Sequence, residues 1–432
     1  MKFVKQKLQY KKLGNLLIIA CFLMVAFMMA SKFIYTAEMV EILDIFGFQS
    51  SQFTIPITVY FIVYAITQLI LAVYFQKINV KNDLIITVAI SCVLTVIMAF
   101  STGLVYFLVV LTINGILQAG LWAGCMSVAA KHLPQSMIPK ANTFMTCGFP
   151  AGSVVTYCIA SFVVAIDAWW LGFVIIGTLF ALVLLFFAII VSKLEKLPRH
   201  VAVEIDQEVQ FKNKGYSSVN VQTNQTLMPL KTKGNKILFY VLIGLICFVA
   251  YTVYSSVIDF IPKMLTDTFD MDNSLAIIFS VIVPIGVAFG PILIISLCEK
   301  VSNYIFVSLV SVCGLIGLLV AVVFGYSANF ILAIVLLLAT ALCARAVNAI
   351  YETVIISKMN KQLDTGSFAA YTNATASFGA AAAPFIMGRT IEAGKTMGIG
   401  WSLSYTVILI EAIALAIFIF LLIVFCVRKK KV

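Results

Sequence analysis

Residues 193–236 read "KLEKLPRHVAVEIDQEVQFKNKGYSSVNVQTNQTLMPLKTKGNK", a polar stretch of mixed charge with no helical apolar periodicity. Such a segment cannot bury a core face and reads as a linker. Its position is what decides the fold, because the sequence on either side is almost continuously apolar. Of the 432 residues, 62% are hydrophobic and 11% are charged, and the mean hydropathy is +1.08. No water-soluble core could absorb that balance.

Apolar windows of about 20 residues, enough for a helix to cross a hydrocarbon layer of about 30 Å, recur along the whole chain. They fall near 14–38, 52–75, 84–103, 105–130, 141–166 and 168–192 before the linker. After it they fall near 236–262, 273–297, 302–325, 328–356, 367–388 and 400–427. The windows are too long and too uniformly apolar for barrel strands, so they are helices. The expectation is an all-α membrane protein of twelve transmembrane helices. A six-helix bundle over 1–192 and a second over 237–432 are joined by a cytoplasmic linker at 193–236. The basic start "MKFVKQKLQYKK" imitates a signal peptide, but its apolar run is too long and lacks a small-residue cleavage site, so it is expected to stay as the first span.

The net charge of +11 raises the question of nucleic acid. Once the spans are placed, 24 of the 29 basic residues fall on one side: in the N-terminal tail, the linker, the C-terminal "RKKK" and short loops. Lys263, Arg389 and Lys395 fall on the other side. That bias is the positive-inside pattern; it puts both termini in the cytoplasm and excludes a nucleic-acid footprint. Ten cysteines are scattered singly through apolar segments, and the two histidines, His132 and His200, lie in loops. No metal site, cofactor, catalytic residue or nucleophilic constellation is expected. The phosphate-binding loop G-x-x-x-x-G-K-[ST] is absent, so a proton gradient or exchange would supply the drive.

If the bundles are repeats, equivalent positions should recur at a constant offset. "SKFIY" at 31–35 pairs with "SSVID" at 255–259, and "QKIN" at 76–79 with "EKVS" at 299–302, at offsets of 224 and 223. A duplicated six-helix unit is the arrangement of major facilitator transporters, which this chain resembles. Their signature loop after the second helix survives in part as "AVYFQKINVK", with Gln76 at the acidic position, and as Glu299 and Lys300 in the second copy. "NGILQAGLWAGCMSVAAKHLPQSMIPKANTFMTCGFPAGSVV" from Asn114, "WWLGFVIIG" from Trp169 and "VIDFIPKML" from Val257 resemble the organophosphate:phosphate antiporter branch. Asn114, Gly115, Gln118, Gly120, Trp122, Gly148, Gly152 and Trp169 fit its pattern.

That branch binds phosphate with two midplane arginines. Here the first span offers Lys32, Tyr254 stands at the second arginine position, and Gln68 replaces a lysine of span two. Amino-acid carriers of intracellular bacteria share the scaffold, and a carboxylate needs less positive charge than a phosphate. The resemblance implies a monomeric multi-pass carrier of a bacterial inner (plasma) membrane. It would move an organic anion or amino acid by alternating access, coupled to protons or by exchange. Alternatives are a phosphate-ester antiporter, a channel, or a sensor that has lost transport.

Two basic residues remain inside spans, Lys32 and Arg345, and a charge at mid-bilayer costs roughly 3 kcal/mol on insertion scales. Such residues face a wet cavity or a partner. Arg345, Asn348 and Glu352, at i, i+3 and i+7, share a helix face with Tyr351 close by. Either Arg345 binds an anionic group that Asn348 and Tyr351 orient, or it pairs with Glu352 or Glu411. Lys32, about 18 residues into its span, either meets substrate or snorkels outward. Gln118, Tyr254 and Asn373 complete the expected substrate set. Asp259 and Glu38 read as solvated mouth residues, with proton coupling as the sharper alternative. Glu411 reads as a structural partner for Arg345 rather than a proton carrier. Trp169, Trp170 and Trp401 read as interface anchors.

Overall fold

The computed structural model describes residues 2–74, 79–198, 204, 233–290, 293–294, 297–298, 304–355 and 365–426. Most of the linker, the loop residues Gln76, Lys77, Glu299 and Lys300, and the C-terminal basic run lie outside them. Among the described residues, secondary structure is entirely helical. The helices before the linker are α1 (Lys2–Ala37), α2 (Met39–Phe46), α3 (Ser50–Tyr74), α4 (Val80–Ile97), α5 (Leu104–Gln118), α6 (Leu121–His132), α7 (Ile138–Val164) and α8 (Trp169–Glu195). Those after it are α9 (Lys233–Ile258), α10 (Ile261–Phe269), α11 (Asn273–Ser280), α12 (Ile282–Val287), α13 (Tyr304–Gly325), α14 (Phe330–Ala349), α15 (Thr365–Thr396) and α16 (Ser402–Cys426).

Among the described residues, ten helical stretches are long and apolar enough to cross a bilayer. The broken pair α11–α12 and the small-residue helix α15 complete the expected twelve. Large apolar side chains such as Phe324 and Val105 stand exposed around the outside, as a lipid-facing surface requires. An even number of crossings returns both termini to one face, here called the terminal face.

The breaks have local causes. Pro284 lacks an N–H, and its ring clashes with the carbonyl of Ser280, so span eight divides into α11 and α12. Span four, expected to be continuous, divides at Ala119 and Gly120 into α5 and α6. Gly47, at φ 66°, ends α2 in the left-handed conformation that glycine adopts without strain.

The duplication is visible in the backbone. α1 is followed by the short amphipathic α2, and α9 by the short amphipathic α10; Ile261 starts 222 residues after Met39. The same glycine device recurs as well. A Cβ on Gly152 of α7 would strike the backbone of Ala26 in α1, and one on Gly379 of α15 would strike that of Phe248 in α9. Each half therefore seats its fifth span tightly on its first.

Within the first half α1 packs on α6, α7 and α8, and α3 on α5. Within the second, α9 packs on α14, α15 and α16, and α13 on α14 and α16. The halves meet along a seam where α3 lies against α15 and α7 against α11 and α12. Away from the terminal face, Ser161 donates to the Ser274 carbonyl at 2.8 Å, Asn273 to Glu41 at 3.3 Å, and Tyr157 to the Ile258 carbonyl at 3.4 Å. Nearer the terminal face α7 instead exposes Asn142, Thr146 and Cys147. Along α7, the described contacts close the seam at the end remote from the termini.

Candidate functional site

Position of the site begins with a knot of polar side chains inside the first half. Gln118, at the α5–α6 break, accepts from the Tyr60 hydroxyl at 2.7 Å. Its Nε2 donates toward Ser31 Oγ at 2.7 Å, Ser91 Oγ at 2.9 Å and Asn114 Oδ1 at 3.2 Å. Ser91 donates to Asn114 Oδ1 at 2.5 Å. All of these side chains are buried, and buried amides persist only when satisfied in this way. Gln118 is therefore internal glue for α1, α3, α4 and α5, a structural role beside the one expected of it as a substrate ligand. Its consequence is rotational: with Ser31 held inward, the next residue of α1 turns about 100°.

That next residue is Lys32, and it lies at the seam. Its ammonium sits 4.7 Å from the centroid of the Phe61 ring of α3 and as far from Phe33, a cation–π arrangement. Across the seam Asp259, at the end of α9, accepts from Ser255 one turn earlier. Lys32 and Asp259 are 5% and 6% exposed and within electrostatic reach of each other. Among the described residues neither is in ion-pair contact with any group. Tyr157, Tyr251 and Tyr254 all feel the Asp259 charge.

Arg345 of α14 continues the line. Its Nη1 lies 3.3 Å from Glu352 Oε2, with the two side chains 17% and 21% exposed. Its guanidinium carbon is 5.7 Å from the Tyr254 ring centroid, and Tyr254 meets Tyr251 edge-on at 5.5 Å. Glu352 falls within a π-turn, Ile350–Val354, that extends α14; such turns recur where a helix is shaped around a function. Lys32 and Asp259 thus lie close across the seam, and on the second-half side Tyr254 stands between Asp259 and the Arg345–Glu352 pair, feeling the charge of each.

Other expected residues are placed differently. Tyr351 is fully buried and shares a 2.9 Å hydrogen bond with Ser308 inside the second half. Asn348 is buried too and donates to the Ala250 carbonyl at 3.4 Å. These two hydrogen bonds lie within the second half, a structural setting beside the substrate-orienting role expected of both residues. Asn373 is exposed on α15. One turn on, Ser377 lies 3.4 Å from Gln68 of α3. Glu411 does not partner Arg345, whose ion pair is with Glu352; its Oε2 is buried without a partner among the described residues.

The expected mouth carboxylates are not solvated. Glu38 is fully buried against Gly172 and Ile34, both carboxylate oxygens lacking a hydrogen-bond partner among the described residues. Asp259 is buried at the seam. Trp401, expected as an interface anchor, is buried and donates to Asp267 Oδ2 at 3.2 Å, beside Lys395 at 3.1 Å and Lys263 at 3.4 Å from Oδ1 of the same carboxylate. Trp170 is exposed.

Sequence reasoning missed Phe61, Tyr157, Tyr251 and Ser255. A signal existed for the last two. Tyr251, Tyr254, Ser255 and Asp259 recur at helical spacing along α9, a polar stripe in an apolar span. Among the described residues no cluster of three or more His, Cys, Asp or Glu could hold a metal.

The same architecture recurs in solved transporters. A bacterial homolog to the human lysosomal transporter Spinster, inward-facing and unoccupied, superimposes with a TM-score of 0.68 at 16% identity, covering 96% of each chain. The D-xylose-proton symporter gives 0.67 at 15% identity over 96% of this chain and 98% of its own. The nucleoside transporter NupG gives 0.65 at 16% over 96% and 100%. At such identities the likeness establishes the fold. No curated protein sequence matches this one. The family profile described as Major Facilitator Superfamily matches residues 19–384. Span for span and in sequence, this chain belongs to the Major Facilitator Superfamily, and so to a family of transporters rather than enzymes.

Proposed function

We propose that the protein is a secondary active transporter that carries a small organic solute, an organic anion or an amino acid, through the seam between its halves. The carrying observation is Lys32 facing Asp259: one cation from α1, one anion from α9, both buried and neither in ion-pair contact among the described residues. Charges left apart in apolar surroundings are costly. A solute that offers an anionic group to Lys32 lowers that cost in the occupied carrier only. Arg345, already held by Glu352, is a weaker claimant for the same role.

The paired arginines that would clamp a phosphate are replaced by Lys32 and Tyr254, and a lone ammonium lacks the bidentate fit of a guanidinium. This weighs for a carboxylate over a phosphate ester. The bias of basic residues supports cytoplasmic termini. With the seam closed along α7 remote from them, this conformation is the inward-facing one. The drive is a proton gradient or exchange.

Counterflow in proteoliposomes loaded with amino acids, dicarboxylates or sugar phosphates is the test. Saturable exchange of a carboxylate solute is expected. Lys32→Gln should raise KM roughly tenfold or more, the worth of a charge-assisted hydrogen bond, without loss of folded protein. Binding without flux would instead make the protein a sensor, and non-saturating flux a channel.

A further inference from the structure

Far from the seam, α1 and α8 run antiparallel and leave a cleft of about 510 Å³ at the terminal face. Its composition is graded with depth. Lys12 on α1 and Lys193 and Lys196 at the end of α8 line its rim, while Leu16, one turn after Lys12, and Ile190, one turn before Lys193, line its floor with Leu13. Helical spacing explains the grading. Lys12 and Leu16 lie at i and i+4 on α1, and Ile190 and Lys193 at i and i+3 on α8, so each helix turns both members toward the cleft. All three lysines are exposed. Among the described residues, none that lines the cleft is acidic. The neighbouring acid on α8, Glu195, is already held by Lys81 at 2.7 Å.

Three ammonium groups above a greasy floor, facing outward from a helix pair that lies in the bilayer, match one kind of molecule in shape and charge. We propose that this cleft binds an anionic phospholipid, its phosphate among Lys12, Lys193 and Lys196 and its acyl chains against Leu13, Leu16 and Ile190. Basic pockets between spans recognise such headgroups through the same chemistry. A zwitterionic lipid brings its own cation to the rim and fits less well. Free phosphate leaves the floor uncovered. This site is independent of the transport reading, because it shares no residue with the seam.

The test uses the full-length protein in detergent, with lipid binding followed by native mass spectrometry and thermal shift. Phosphatidylglycerol should bind and stabilise, phosphatidylcholine much less, and glycerol phosphate not at all. Replacing Lys12, Lys193 and Lys196 together by Gln should weaken phosphatidylglycerol binding roughly a hundredfold, about fivefold per lysine. A control lacking three basic residues of the same face outside the cleft, Lys11→Gln with Lys131→Gln and Lys140→Gln, should weaken it less than fivefold. Equal losses in the two variants would reduce the effect to general surface charge and overturn the proposal. So would equal binding of phosphatidylcholine, or binding of glycerol phosphate as tight as that of the lipid. If the triple variant is not recovered folded, Lys12→Gln and Lys193→Gln singly should each read about a fivefold loss, and no loss in either overturns it.

Discussion

Breaking the Arg345–Glu352 pair gives the sharpest test of how the buried charge on α14 is held. The two groups are 3.3 Å apart and mostly shielded, at 17% and 21% exposure. At that separation and an effective dielectric of about 20, Coulomb's law gives a gross attraction of about 5 kcal/mol. Desolvation of both ions offsets much of it. Removing either partner, however, strands the other in a poor solvent, and such single removals cost about 3 to 5 kcal/mol. Arg345→Gln and Glu352→Gln should therefore each destabilise by about 3 kcal/mol. For a chain of this length that is roughly a 5 °C fall in Tm, extrapolating the size scaling. The double variant should be no worse than either single one, giving a coupling of about 2 to 3 kcal/mol in a double-mutant cycle. The assay is thermal unfolding of the four purified proteins in one detergent. Additive losses, with coupling below about 0.5 kcal/mol, would refute the lock. Arg345 would then be free to serve a substrate directly.

Three further outcomes follow from particular contacts. Gln118→Leu should lower stability by more than about 2 kcal/mol, since it leaves the buried Tyr60 hydroxyl without its acceptor and removes the donor to Ser31, Ser91 and Asn114, yet leave KM within twofold (about 0.4 kcal/mol) once folded protein is normalised; a large KM change would return Gln118 to the substrate site. Asp272 caps α11 by accepting from the Ser274 amide at 3.0 Å and hydroxyl at 2.7 Å, bonds that hold its carboxyl below the usual carboxylate range. Asp272→Ala should cost about 1 kcal/mol and Asp272→Asn much less, and because the folded value is depressed, the cap's stabilisation is present above the ordinary carboxylate range and lost as pH falls through the folded value. Gly379→Val should prevent tight seating of α15 on α9, because its Cβ would meet the Phe248 carbonyl; folded protein in the membrane fraction should drop sharply while Gly317→Ala, which has open space, leaves it unchanged.

The architecture was legible because bilayer physics leaves so few solutions. Uninterrupted apolar windows of span length demand helices. The constant offset between "SKFIY" and "SSVID" survives as the shared order of a long span and a short amphipathic helix in α1–α2 and α9–α10. Helix interruptions were less legible. Pro284 could have announced the break between α11 and α12, but Ala119 and Gly120 look like ordinary small residues until Gln118 is seen tied into four neighbouring side chains.

The site was legible in its residue types and much less in its directions. A lysine and an arginine inside spans were bound to matter, since insertion makes them expensive, but a sequence carries no statement of which way a helix is turned. One residue corresponds to about 100° of rotation, so a single fixed neighbour decides the rest. Ser31, anchored by Gln118, sends Lys32 to the seam. On α14 the Arg345–Glu352 pair occupies the partly open side, which commits Tyr351 to Ser308 and Asn348 to the Ala250 carbonyl. The described hydrogen bonds of Asn348 and Tyr351 are thus made to other helices of the second half. Glu38 makes the same point from the other side: a carboxylate at a span end looks solvated in a linear reading, yet it is fully buried, and Gly172 of α8 leaves it room. What positions the Lys32 charge is the contact made by the adjacent Ser31, and that contact joins residues 87 apart along the chain.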